Sequence, residues 1–186
     1  MRNATLANLG MMVGSAGAFV ITGNPAFAAE TVHDLADTGA HGSRYLAEKY
    51  QVNQHTKRFE NFLKLSMLGV AGLSAYTAGR IGINILEGKV LDDSLNDTMI
   101  NLGGAIMIGV GNTYARDELR SVKSHSYASS AGLKHADVDM VASWGLAGSI
   151  GLEAAGIEYA SQWGGYSFAT YTALHLYFHA TESHEH

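Results

Sequence analysis

Cysteine is absent from this chain of 186 residues, which excludes a disulfide framework and any thiolate metal site. Proline occurs once, at Pro25, so little in the chain interrupts a helix. Charge is scarce: Asp, Glu, Lys and Arg make up 16% of the residues, against about 25% in ordinary soluble domains. The net charge of −5 provides no basic footprint for nucleic acid. Glycine is plentiful instead, at 22 residues, and apolar side chains reach 47%. Long helices packed through small residues use this mixture, as membrane helices do. A mean hydropathy of +0.02 weighs against a membrane protein. The length suffices for one domain with a substantial core.

The distribution of charge is more telling than its average. Thr5–Ala29, Leu65–Gly79, Thr98–Ala115 and Met140–Leu152 carry no charged residue, and Tyr159–Thr181 holds only two His. A bilayer-crossing helix needs about 20 mostly apolar residues, and several of these runs qualify or nearly do. With the segment around Pro25–Leu46 they predict six helices, near 4–23, 25–48, 59–87, 95–116, 133–157 and 163–181. Lys49, Lys57 and Arg58 fall between the second and third, with Arg44 and Lys64 flanking. Arg116, Arg120, Lys123 and Lys134 surround the link from the fourth to the fifth, and Arg2 precedes the first. The other connections hold one Lys and no Arg. This alternation is the positive-inside pattern of six spans with both termini cytoplasmic. Arg80 breaks it and is expected to snorkel or pair near the outer end of the third helix. A competing reading takes Ala26-Phe27-Ala28 as the cleavage site of a secretory signal. Asn24-Pro25, a tight turn signal, and the motif that follows without a loop oppose it.

That motif is His33-x-x-x-Asp37, and it recurs as His135-x-x-x-Asp139. Residues four apart share one helix face, so each copy presents an imidazole and a carboxylate together. Two nitrogens and two oxygens suit tetrahedral Zn2+. Glu30, His33, Asp37 and His41 follow spacings of three, four and four and form one polar stripe. A single Asp at the centre of a membrane helix costs about 2.5–3.5 kcal/mol on insertion scales. Such a stripe therefore calls for a water-filled cavity or a bound cation; the bland alternative is a hydrated helix surface. Asp137 points about 160° away from His135, so Asp139 is the better mate. The loop count makes the second and fifth helices antiparallel.

The stretch from Gly23 to Asp37 resembles the second-helix signature of the cation diffusion facilitators. Leu6-Ala7-Asn8-Leu9 is similar to that family's first helix, and Ser126–Asp139 to the entry of its fifth. The resemblance implies six transmembrane helices, exchange of divalent metal for protons, a homodimer, and a transport site of His33, Asp37, His135 and Asp139. The His/Asp composition is similar to the zinc-transporting branch. There are departures. Ser15 stands where a basic residue is common, and Asn53-Gln54-His55-Thr56-Lys57 replaces a His-Pro-Phe-Gly stretch, leaving only His55 as a possible loop ligand. The chain stops after the sixth helix, so the resemblance implies a transporter without the usual C-terminal cytoplasmic domain.

His175 and His179, four apart on the sixth helix, offer a second polar site or simply amphipathic residues near the inner interface. His125 reads as a loop residue, and His184-Glu185-His186 as a solvated tail. Trp163 and Tyr166 fit an outer interfacial belt. The expectation is thus an all-α integral membrane protein with a six-helix transmembrane domain over 1–182 and a short His/Glu tail over 183–186. It is expected to sit in a bacterial inner membrane, to be no enzyme, to bind no nucleic acid, and to expel Zn2+ as its transported substrate in exchange for protons, with Co2+, Cd2+, Fe2+ and Mn2+ left open by the same ligand set. Two alternatives use the same ligands. One is a metal-dependent membrane enzyme with Glu30 or Asp34 as general base, the other a periplasmic or membrane metal-binding protein without transport.

Overall fold

In the computed structural model the described residues are 2–50, 57–89, 95–121 and 127–181. They form six α-helices: α1 (Arg2–Thr22), α2 (Pro25–Lys49), α3 (Lys57–Leu86), α4 (Leu95–Ser121), α5 (Tyr127–Ala154) and α6 (Ala160–Thr181). No strand occurs among the described residues, and the chain is all-α. The shortest, α1, has 21 residues, a length of roughly 32 Å at 1.5 Å per residue. The basic cluster after the fourth helix reads as loop from the sequence, yet α4 continues to Ser121 and α5 begins at Tyr127. The extension lets Arg116 and Arg120 reach an acid on α5: Arg116 Nε donates to Asp137 Oδ1 at 2.5 Å and Arg120 Nη2 at 3.2 Å.

The α1–α2 turn shows how local sequence sets the entry to the second helix. Gly23 takes φ of 70° and donates its N–H to Phe19 O at 2.8 Å, ending α1 in a left-handed cap. Asn24 then caps α2, its Oδ1 accepting the Ala26 N–H at 3.0 Å. Pro25 occupies the first helical position, where a missing N–H costs nothing. At the α5–α6 turn Glu153 accepts both the Ser161 N–H (2.8 Å) and the Ser161 hydroxyl (2.7 Å), which fixes the start of α6.

Helices α2, α1, α4 and α5 follow one another by side-to-side contact, while α2 and α5 touch each other only over a short stretch. Helix α6 lies against both α2 and α5, and α3 packs on α6 and α2. Gly165 brings α6 onto α2: a Cβ there would stand 3.0 Å from the Ala26 Cα. Phe27, Ile108, Leu146, Ile150 and Phe168 form the apolar core around this junction.

Alongside this apolar core, several acids and amides are buried and many large apolar side chains are exposed. Glu30, His33, Asp34, Asp37, Asp139, Asn8 and Asn112 are buried. Val13, Val20, Leu65, Tyr76, Ile106, Val141, Leu174 and Phe178 are exposed. Soluble proteins do expose apolar atoms, but buried carboxyls together with so many exposed large hydrophobics form an unusual pattern in water. Among the described residues, α1 alone carries an 18-residue apolar window of the kind that crosses a membrane, Thr5–Thr22, with mean hydropathy 1.4. Arg80, the cation that breaks the loop pattern, is exposed.

Candidate metal centre

Residues 33 and 37 are one turn apart on α2 and both side chains point inward, His33 at 2% exposure and Asp37 at 4%. Asp139 approaches from α5 at 2% exposure. The His33 Nε2 lies 3.4 Å from Asp139 Oδ1 and 3.7 Å from Asp37 Oδ2. One ligand atom from each of the three falls within 4.8 Å of the others. Ligands at 2.0–2.1 Å from a tetrahedral Zn2+ stand about 3.3 Å apart. The two His33 separations lie within a few tenths of an ångström of that spacing, and the widest separation in the set is at most 4.8 Å.

Helix α6 orients the imidazole. The Thr172 hydroxyl sits 3.3 Å from His33 Nδ1, and Phe168 meets the ring edge-on at 5.0 Å between centroids. With Nδ1 protonated and donating to Thr172 Oγ1, the Nε2 lone pair faces the two carboxylates. That is the tautomer a metal requires.

The sequence candidates divide into three groups. His33, Asp37 and Asp139 come together. His135 lies on α5, but its side chain is outside the described residues, as are those of His41 and His179. His55, His125 and His184 through His186 are outside them altogether. Asp137 turns away from the centre toward Arg116 and Arg120. His175 stacks on Tyr171, with ring centroids 5.4 Å apart.

Further polar residues surround the centre, and of these Asn112, Ser143 and Thr172 escape a reading by spacing. Glu30, one turn before His33 and Asp34, is fully buried; its Oε1 accepts from Asn112 Nδ2 on α4 at 3.0 Å and from the Ser143 hydroxyl on α5 at 3.2 Å. Asn112 Nδ2 also donates to Ser143 Oγ at 2.9 Å. This network joins three helices just beside the metal centre. Asn112 lies in an uncharged run, and no spacing rule singles it out. Thr172 is equally silent in the sequence, because only the packing of α6 on α2 brings it to His33.

Comparison of the chain with models of known protein families, and with curated proteins, returns no match. The chemistry of the centre therefore rests on its own geometry. Metal demands neutral imidazole and ionised carboxylate, so binding releases protons and affinity rises with pH. Thr172→Val removes the group that holds Nδ1 and lowers Zn2+ affinity by about 10–100-fold, the usual effect of losing such a support. Titration against a competing chelator measures this; unchanged affinity would show that Thr172 does not orient the ring.

Proposed function

We propose that the chain is a divalent-cation transporter that exchanges Zn2+ for protons across a bacterial inner membrane. Its six helices cross the bilayer with both termini in the cytoplasm. The observation that carries this reading is the convergence of His33, Asp37 and Asp139 inside a bundle whose surface is rich in large apolar side chains. Ionisable groups in membrane helices face the bundle interior and mark ion pathways. The inward turn of these groups and the placement of cations on alternate loops both support a membrane reading.

His135 is the fourth ligand in this reading, one turn before Asp139, completing an N2O2 set. In the cytoplasm-facing state Zn2+ displaces protons from the two imidazoles. Rearrangement of α2 and α5 against their neighbours then exposes the set outward, where protonation weakens the ligands and frees the metal. Such a cycle runs only if the two states differ in their affinity for metal and for protons. Mixed nitrogen and oxygen ligation, without thiolate, suits a site that has to release its ion. The resemblance to the cation diffusion facilitators supports the same cycle and a homodimer. A catalytic site would need a substrate pocket beside the ion. The cavity between α2 and α3, lined by Leu35, Ala36, Phe62, Met67 and Val70, is apolar and lies on another side of α2.

Two measurements test the proposal. In proteoliposomes, a Zn2+ gradient drives counter-movement of protons, and Asp37→Ala or His135→Ala reduces the coupled flux to the level of empty vesicles. Flux that persists in both variants contradicts the ligand assignment. The absence of native cysteine makes single-cysteine labelling unambiguous. With an impermeant maleimide, Gln54→Cys and Ser124→Cys react from the cytoplasmic side, and Asp92→Cys and Glu158→Cys from the outer side. Labelling of all four from one side contradicts the six-span topology.

A further inference from the structure

Beside the His/Asp centre, α2 carries a second buried polar face. Glu30, Asp34 and Thr38 are spaced four apart, and Asp34 lies about 100° round the helix from His33; Glu30, which also belongs to the stripe of His33 and Asp37, borders both sides. Glu30 and Asp34 both have 0% exposure. Neither Asp34 oxygen has a hydrogen-bond partner among the described residues, and neither does Glu30 Oε2 or Thr38 Oγ1. An independent observation comes from α1. Thr31 Oγ1 donates to Ser15 Oγ at 3.0 Å, which sets the register of the antiparallel α1–α2 pair. Seven residues further inward along each helix stand Asn8 and Thr38. Asn8 is 2% exposed, and its Oδ1 also has no hydrogen-bond partner among the described residues.

A carboxylate with no hydrogen-bond donor, sealed from water, is heavily disfavoured: it takes up a proton unless a cation joins it. The amide and hydroxyl that bind Glu30 are both directed at Oε1. The groups left over are all oxygens: two from Asp34, one from Glu30, with the Thr38 hydroxyl and the Asn8 carbonyl one turn inward. Oxygen-only sets select hard cations such as Mg2+, Ca2+ and Mn2+ over those that prefer imidazole.

We propose that Asp34, with Glu30 one turn away on the same face of α2, forms a second cation position made of oxygen ligands, adjacent to the His33/Asp37/Asp139 centre. It rests on the transport reading only in taking Zn2+ as the occupant of the first position. Two neighbouring positions of different ligand hardness let one ion enter while another leaves, or let a hard cation counterbalance the acids when the first position is empty.

The test is Mn2+ titration of the purified full chain in nanodiscs, followed by the loss of the free-ion signal in electron paramagnetic resonance, with Zn2+ present at saturation. Wild type is expected to bind Mn2+ alongside Zn2+. Asp34→Asn weakens Mn2+ binding at least tenfold and keeps Zn2+ binding, whereas His33→Ala with Asp139→Asn does the reverse. No Mn2+ binding to Zn2+-saturated wild type overturns the proposal, and Asp34 is then neutralised by a proton. Equal Mn2+ binding by Asp34→Asn overturns it too, as does simultaneous loss of both metals, which would make Asp34 part of a single centre. Asp34-dependent Mn2+ binding in a wild type that fails to bind Zn2+ would sustain this inference and remove the transport reading.

Discussion

The structure is organised around the burial of carboxyl groups next to one imidazole. Glu30, Asp34 and Asp37 on α2 and Asp139 on α5 are withdrawn from the surface, and His33 stands among them. A charge in such surroundings is tolerable only when paired, hydrogen-bonded or ion-bound. Each surrounding helix supplies part of the compensation. Helix α4 supplies Asn112, α5 supplies Ser143, and α6 supplies Thr172 and Phe168. The packing of α6 on α2 is close because Gly165 has no side chain to hold them apart. The apolar core draws on all six helices, and the polar centre is buried beside it.

Position along α2 sorts these acids into different roles. Asp37 and His33 share the face that meets α5 and α6. Asp34 shares a face with Glu30, whose carboxyl meets α4 and α5. One residue of displacement rotates a side chain by about 100°, so adjacent residues 33 and 34 serve separate environments. The same geometry separates Asp137 from Asp139 on α5. Asp137 engages Arg116 and Arg120 at the rim, while Asp139 turns inward to His33. The rim pair is partly solvated and worth little to stability by itself. Its value is geometric, since it ties the end of α4 to the first turns of α5 just before the ligand.

Much of this was legible in the sequence because helix periodicity and caps are local. Uncharged runs and the Gly23-Asn24-Pro25 turn located the helices to within a few residues at most ends. The i, i+4 spacing brought out His33 with Asp37 and favoured Asp139 over Asp137. The extension of α4 and α5 was not legible, because a basic cluster reads as loop until its acid partner on the next helix is known. Thr172, Asn112 and Ser143 were invisible for a related reason: a hydroxyl or amide in an apolar run gains its meaning from the helix opposite. Asp34 was visible as a residue but not as a buried one, since spacing alone leaves open which faces of α2 meet other helices.

The most direct test of the central claim is X-ray absorption at the zinc edge of the Zn2+-loaded protein. The account predicts a four-coordinate shell of nitrogen and oxygen near 2.0 Å, with the multiple-scattering signature of imidazole, and loss of that signature in His33→Ala with His135→Ala. A six-coordinate oxygen shell without imidazole, unchanged in the double variant, would contradict it.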